Sequence, residues 1–391
     1  MSFTAIARGW KAKVVAAMVA VATIFGMMQF AAPEEAHADR GYLRPGCTWD
    51  SYGFWVQYCQ VYSQAMGRNI PVQIRAGDTD GNPGLYLLDG LRAQDTYSEY
   101  TWRGEAPKHF KDDNMTLVMP AWGEASFYTD WNAPAVNTKG APRIYKWETF
   151  LTQELPVYLE REFQTSRTNN AVAGLSMGGT AAMSLAYNHR DQFKHVSVFS
   201  GYFQVSNPVM STAIAGAQID QGYEPTAMWG PPGIPTPGHV RNDPSMNLGK
   251  LQGLPMFITS ANGYPSHWST PEALLGAPAE LPQIGMGIAL EGLSRASTVA
   301  FESQARAAGL DPIMHYSPDG IHSWDLWNRD IGMGIALEGL SRASTLAFES
   351  QARAAGLNPT MHYSPDGIHA WSLWKNDLAM ASPHIKAALG V

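Results

Sequence analysis

"NAVAGLSMGGTAAMSLAYNH", residues Asn170 to His189, is the stretch on which the fold turns. The apolar run up to Leu175 has the length and composition of a buried strand, and the Ala-rich run after Gly179 that of a helix. Between them, Gly174-Leu175-Ser176-Met177-Gly178 matches G-x-S-x-G. In that pattern the glycines permit a sharp strand-to-helix turn that lifts a serine hydroxyl above a sheet. Gly179 adds a third small residue at the turn.

A serine hydroxyl is a weak nucleophile at neutral pH. It needs a neutral imidazole within hydrogen-bonding reach and a carboxylate to orient that imidazole and stabilise its charged form. In the strand–elbow–helix setting the chain order is serine, acid, histidine.

Working outward, "IPVQI" from Ile70, "GLYLLDGLR" from Gly84 and "MTLVMPAWG" from Met115 are strand-like. "YKWETFLTQELPVYLEREF" from Tyr145 repeats apolar residues at helical spacing, and "HVSVFSGYF" and "LPMFITSANGYP" add two more strands. Strands alternating with helices imply an α/β protein whose mostly parallel sheet is covered on both faces. The Pro- and Gly-rich segment from "NPVMSTAI" to "PTPGHVRNDP" is weakly periodic and reads as an insertion folded over the sheet.

Farther on, residues 284–330 and 331–377 align without a gap and differ at seven of forty-seven positions. Each copy reads as a helix, a strand "MHYSPDG" and a His-containing loop that opens another helix. Two copies are too few for a solenoid, so the sequence implies a tandem duplication inside one domain.

The duplication creates a choice of catalytic partners. The base expected after the last strand is His322 in "HSW" or His369 in "HAW", while His315 and His362 fall in the strands. By order alone the acid is Glu272, Glu280, Glu291 or its copy Glu338. The oxyanion donors expected are the backbone N–H groups of Met177, just after the nucleophile, and of Leu91, in the loop after "LYLLD". No His/Cys/Asp/Glu spacing suggests a metal.

The N-terminus carries Arg8, Lys11 and Lys13, an apolar run from Val14 to Phe30 and then Ala36-His37-Ala38. That pattern reads as a signal peptide, residues 1–38, and no second run long enough for a membrane span follows. Residues 39–391 then form a single exported domain. Cys47 and Cys59 are the only cysteines, and an even pair in an exported chain favours one disulfide. A formal net charge of −7 without a Lys/Arg-rich run argues against nucleic acid as partner. The 13 Trp, 16 Tyr and 14 Phe suit apolar or sugar surfaces.

"YLLDGLRAQD", "SFYTDW", "YKWETFLTQELP", "GLSMGG", "MWGPP" with "RNDP", "NGYPS", "LEGL" and "HSW" occur in the order found in the secreted trehalose mycolyltransferases. The chain resembles that family, which includes the mycobacterial fibronectin-binding antigens, over nearly all of residues 39–391. The resemblance implies an α/β-hydrolase fold, no cofactor, and transfer of a mycoloyl or corynomycoloyl group between trehalose mycolate glycolipids or onto cell-wall arabinogalactan. It makes Ser176 the nucleophile and the Glu of "LEGL", Glu291 or Glu338, the acid. It also puts Asp89 and Arg92 at the sugar site, and Trp324, beside the candidate His322, is a third expected substrate-binding residue.

Two departures stand out. The family's mycobacterial members carry a cysteine pair before "YKWETF", where this chain has "NTKGAPRI". The second is the duplication. Copy one follows "NGYPS" and keeps "HSW", which favours Glu291 with His322. Copy two runs into "LAMASPHIKAALG", which resembles the family's closing helix and favours Glu338 with His369. A hybrid of Glu291 with His369 is a third arrangement, since identical strands compete for one edge position. A secreted carboxylesterase or lipase, and a cell-wall binding protein with impaired catalysis, are the alternative functions.

Overall fold

The computed structural model describes residues 39–264 apart from 139, residues 281–332, and residue 353. The expected signal peptide, Glu272, Glu280 and nearly all of copy two, including Glu338, His362 and His369, lie outside the described residues. Among the described residues no helix is long and apolar enough to cross a membrane.

Among the described residues nine strands form one sheet in the order β1-β2-β3-β5-β4-β6-β7-β8-β9. They are β1 (Cys47–Trp49), β2 (Val56–Ser63), β3 (Arg68–Arg75), β4 (Asn82–Leu88), β5 (Thr116–Pro120), β6 (Thr165–Leu175), β7 (Phe193–Phe199), β8 (Met256–Ser260) and β9 (Ile313–Tyr316). The first three and β5 pair antiparallel, whereas β5-β4-β6-β7-β8-β9 is parallel throughout. The expected mostly parallel α/β sheet is therefore present, with an antiparallel edge that the sequence reading had not included.

Alternation along the central strands builds two cores. Leu85, Leu87, Ala171, Ala173, Leu175 and Phe257 pack on one face, while Tyr86, Leu88, Val172, Val198 and Ile258 pack on the other. Successive side chains of a strand point to opposite faces, so an unbroken apolar run supplies both cores at once.

The helices introduced here are α1 (Glu99–Trp102), α2 (Leu155–Phe163), α3 (Met177–Asn188), α4 (Pro208–Asp220), α5 (Leu281–Ala307) and α6 (Trp324–Gly332). The helical run expected from Tyr145 begins at Trp147 and widens into a π-turn, Phe150–Glu154, before α2. Pro156 explains the widening: it has no N–H for the carbonyl one turn back, and its ring crowds that carbonyl. The segment expected as an irregular insertion contains α4, started by Asn207, whose side chain accepts the Val209 N–H, with Pro208 behind it.

Helix α5 positions the site. It buries Gly287, Glu291, Ser294, Thr298, Phe301 and Ala305, a stripe at three- and four-residue spacing. The stripe is unusually polar, so it docks through specific bonds. Ser294 Oγ donates to Gly201 O at 3.1 Å, Ser297 Oγ accepts the Phe203 N–H at 2.9 Å, and Phe301 stacks on Phe203 with ring centroids 4.4 Å apart. From α5 the chain turns into β9, which pairs with β8 from Phe257↔Ile313 to Ser260↔Tyr316. His315 lies within β9, as expected.

Candidate active site

The site stands at the carboxyl ends of the parallel strands, where open α/β sheets leave a crevice. Ser176 stands between the end of β6 and the start of α3 with φ 53° and ψ −120°, a positive-φ backbone that a serine rarely adopts. The turn is held by its own backbone bonds: Ser176 N–H donates to Phe199 O at 2.8 Å, and Gly179 N–H donates to Ser176 O at 3.0 Å. The flanking glycines are required by space. A Cβ on Gly174 would stand 2.1 Å from Gly178 O, and one on Gly178 would stand 2.2 Å from Leu88 O.

His322 reaches this serine from the loop after β9. Its Nε2 lies 2.7 Å from Ser176 Oγ and its Nδ1 lies 2.8 Å from Glu291 Oε2. The loop is fixed by the backbone bond from His322 N–H to Gly287 O, which ties it to α5. Thus copy one supplies both partners, and Ser176, His322 and Glu291 form one hydrogen-bonded line.

Glu291 is wholly buried. A buried carboxylate is costly unless its lone pairs are filled. Here Oε1 accepts from Ser200 Oγ at 3.0 Å and from the Ala261 N–H at 2.7 Å, leaving Oε2 for His322. Ser200 in turn accepts the Trp327 indole N–H at 3.1 Å, and the Trp327 ring meets His322 edge-on at 4.9 Å. Tyr202 closes the other side, its ring centroid 6.1 Å from that of His322.

The sequence reading missed Ser200, Tyr202 and Trp327. The topology could have found the first two, because they follow β7 at the same carboxyl end of the sheet as the elbow. Asp330 is another buried carboxyl near this network, accepting from Thr259 Oγ1 at 2.5 Å, and burial pushes it up to about 7.

Met177 follows the serine in the chain, and Leu91 follows Gly90 in the loop after β4. A Cβ on Gly90 would stand 3.7 Å from Ser176 Cβ, which brings the loop after β4 against the elbow. Among the described residues neither the Leu91 nor the Met177 N–H has an acceptor.

The three expected sugar-site residues are arranged differently from one another. Asp89 is wholly buried, its Oδ2 accepts the Glu99 N–H at 3.1 Å, and burial, reinforced by the Glu99 charge, pushes it up to about 8. Arg92 is exposed and lies 3.3 Å from Asp220. Trp324, half-buried, donates its indole N–H to Glu99 Oε2 at 3.0 Å and meets Tyr100 edge-on at 5.5 Å. The two cysteines stand opposite each other on β1 and β2 and form a disulfide.

Comparison with known proteins gives the family and the fold. The esterase family model matches residues 63–336. The diacylglycerol acyltransferase/mycolyltransferase Ag85B of Mycobacterium avium is 36% identical over 326 residues, covering 82% of this chain and 91% of that protein. Ag85A of Mycobacterium leprae (strain TN) is 39% identical over 282 residues, covering 70% and 80%. Among solved structures, Mycobacterium tuberculosis MPT51 (FbpC1) superposes with a TM-score of 0.59 at 28% identity, covering 73% of this chain and 98% of that one.

Proposed function

The chain belongs to the α/β-hydrolase family of the Ag85 mycolyltransferases, and from that premise we propose an exported serine acyltransferase that works through Ser176, His322 and Glu291. The observation that carries the reading is the line of hydrogen bonds from Ser176 Oγ through both ring nitrogens of His322 to Glu291.

Ser176 Oγ attacks the ester carbonyl of a trehalose mono-mycolate while its proton passes to His322 Nε2. The negative charge on the former carbonyl oxygen falls to the N–H groups of Met177 and Leu91, and Glu291 stabilises the imidazolium. When the tetrahedral adduct collapses, the trehalose oxygen leaves with the proton from Nε2 and the acyl group stays on Ser176. A hydroxyl of a second trehalose monoester, or of arabinogalactan, then gives its proton to Nε2 and attacks the acyl carbonyl. This second adduct collapses by breaking the bond from the acyl carbon to Ser176 Oγ, which takes the proton back from Nε2 and is regenerated as a hydroxyl.

Arg92 and Trp324 offer the sugar an exposed guanidinium and a flat ring. Asp89 joins them only when Glu99 N–H releases its carboxyl, because it has no exposed surface. Residues 1–38 act as the export signal, and the disulfide suits an oxidising compartment.

A second reading, hydrolysis by a secreted carboxylesterase, is favoured by the esterase match and uses the same three residues. Incubation of residues 39–391 with trehalose monoester separates the two. Accumulation of trehalose diester is expected, and free fatty acid as the sole product would exclude transfer. With Ser176→Ala, no labelled acyl group should be trapped on the protein; a trapped acyl group would remove Ser176 from the mechanism.

A further inference from the structure

The loop between β1 and β2, residues Asp50 to Trp55, is built around exposed aromatic rings that the Ser176 chemistry does not use. Trp49, Phe54 and Trp55 are 45%, 37% and 49% exposed, and Trp102 at the end of α1 is 46% exposed. The Tyr52 ring joins them, edge-on to Trp102 at 5.1 Å and 5.8 Å from Phe54.

Phe54 and Trp55 both have left-handed backbone, φ 52° and 59°. Bulky side chains strongly disfavour that region, and two in succession persist only where the surroundings hold them. The surroundings do so here. Asp50 N–H donates to Val56 O at 2.9 Å and Val56 N–H to Gly53 O at 3.1 Å. Asp50 Oδ1 accepts the Tyr52 N–H at 2.8 Å, and Oδ2 accepts from Gln73 Nε2 at 2.6 Å. The Cys47–Cys59 disulfide closes the hairpin below the loop. Strain that is so firmly held, at rings left open to solvent, is the mark of a surface kept for a ligand.

Three of these rings, Tyr52, Phe54 and Trp55, line an open cleft of about 720 Å³, whose other lining residues include Arg40, Lys111 and Asp112. Arg40 is 12% exposed at its side chain, and its Nε is buried without a partner among the described residues. Arg40 is paired with Asp78 at 2.8 Å and Lys111 with Asp112 at 3.0 Å, so the rim carries donors and acceptors but little net charge. We propose that this cleft is a second binding site, separate from Ser176, that takes a neutral polysaccharide.

The chemistry selects that ligand. Half-covered rings give apolar surface on which the C–H face of a sugar can stack, while balanced polar groups beside them bond hydroxyls. A membrane-inserting loop keeps its rings clear of charge, whereas Tyr52, Phe54 and Trp55 share their cleft with the Asp112 carboxylate, 82% exposed, which would be carried into an apolar phase. An anionic ligand needs unpaired cations, and both cations here are paired.

Affinity electrophoresis of residues 39–391 through gels holding soluble galactan, arabinan or glucan tests the site, with a polyanionic polysaccharide gel and phosphatidylcholine/phosphatidylglycerol vesicles as separate arms. At least one neutral polysaccharide should retard the protein. Retardation should fall at least fivefold in Trp55→Ala and in Phe54→Ala, while Ser176-dependent hydrolysis of a small soluble ester stays unchanged, which also reports folding. The site is also expected to survive in Ser176→Ala, so it is distinguishable from failure of the acyl-transfer reading. No neutral retardation, retardation equal in the ring variants, or binding only to vesicles or polyanion would overturn the proposal.

Discussion

The Ser176 elbow and the Glu291–His322 arm bring their groups within hydrogen-bonding distance by opposite routes. The elbow is local: ten consecutive residues, Asn170 to Gly179, hold the strand end, the glycines and the serine. The arm is assembled at long range, by a polar helix stripe that docks on Ser200 to Gln204 and a strand that pairs with β8. A locally built feature has a sequence signature of its own. A docked feature depends on which segment reaches the docking face, and in this chain two segments carry the same docking residues.

The copies differ at Val299, Asp311, Ile313, Ser323, Asp325, Asn328 and Arg329, and none of these is fully buried. Every buried position of the arm, from Glu291 through Phe301 to Trp327 and Asp330, has an identical counterpart. Copy one adds two surface bonds that copy two's residues would change: Asn328 Oδ1 to His109 Nε2 at 2.7 Å, where copy two has Lys375, and Arg329 to Asp319 at 3.1 Å, where copy two has Asn376. Such surface bonds contribute at most about 1 kcal/mol each.

The contrast can be broken first at the elbow. Gly178→Ala forces a Cβ onto the Leu88 and Asp89 carbonyl oxygens, backbone atoms that cannot swing aside. It should cost about 3 kcal/mol or more and at least about 100-fold in activity. Thermal unfolding and ester turnover check this, and a near-normal variant would mean the elbow is not tightly packed.

The arm should yield by degrees. Ser200→Ala removes one of the two bonds to Glu291 Oε1 and leaves the Trp327 N–H without its acceptor. A loss of about 1–2 kcal/mol in stability and about tenfold in kcat, with KM little changed, is expected. If KM rises alone, Ser200 does not act by positioning Glu291.

The smallest effect is on pH. Burial pushes Asp330 up to about 7, so between about pH 4 and 7 the native chain holds a proton that the unfolded chain has released. Stability therefore falls as pH rises through that window, and above it the loss is complete. Asp330→Asn should raise the melting temperature by about 2–4 °C at pH 8 and leave it unchanged at pH 4. An equal shift at both values would refute the buried-carboxyl explanation.

These outcomes match what the sequence made legible. The parallel strands were readable because both faces are buried and the runs are mostly apolar, as in "TLVMP" and "MFITS". β2 was not, because Gln57 points inward where alternation predicts an apolar residue, bonded through its side chain to the Arg44 N–H. α4 escaped because Val209 and Ile219, 77% and 62% exposed, blur its helical pattern. Ser176, Met177 and Leu91 followed from local motifs. Ser200 and Trp327 did not, since their roles come from distant contacts.

The central claim is that copy one, and not its near-identical successor, completes the site. His322→Ala and His369→Ala, compared in acyl transfer from trehalose monoester under identical conditions, test it directly. The account predicts a loss of at least about 1,000-fold for His322→Ala and nearly full activity for His369→Ala. The reverse order, or equal partial losses from both, would contradict it.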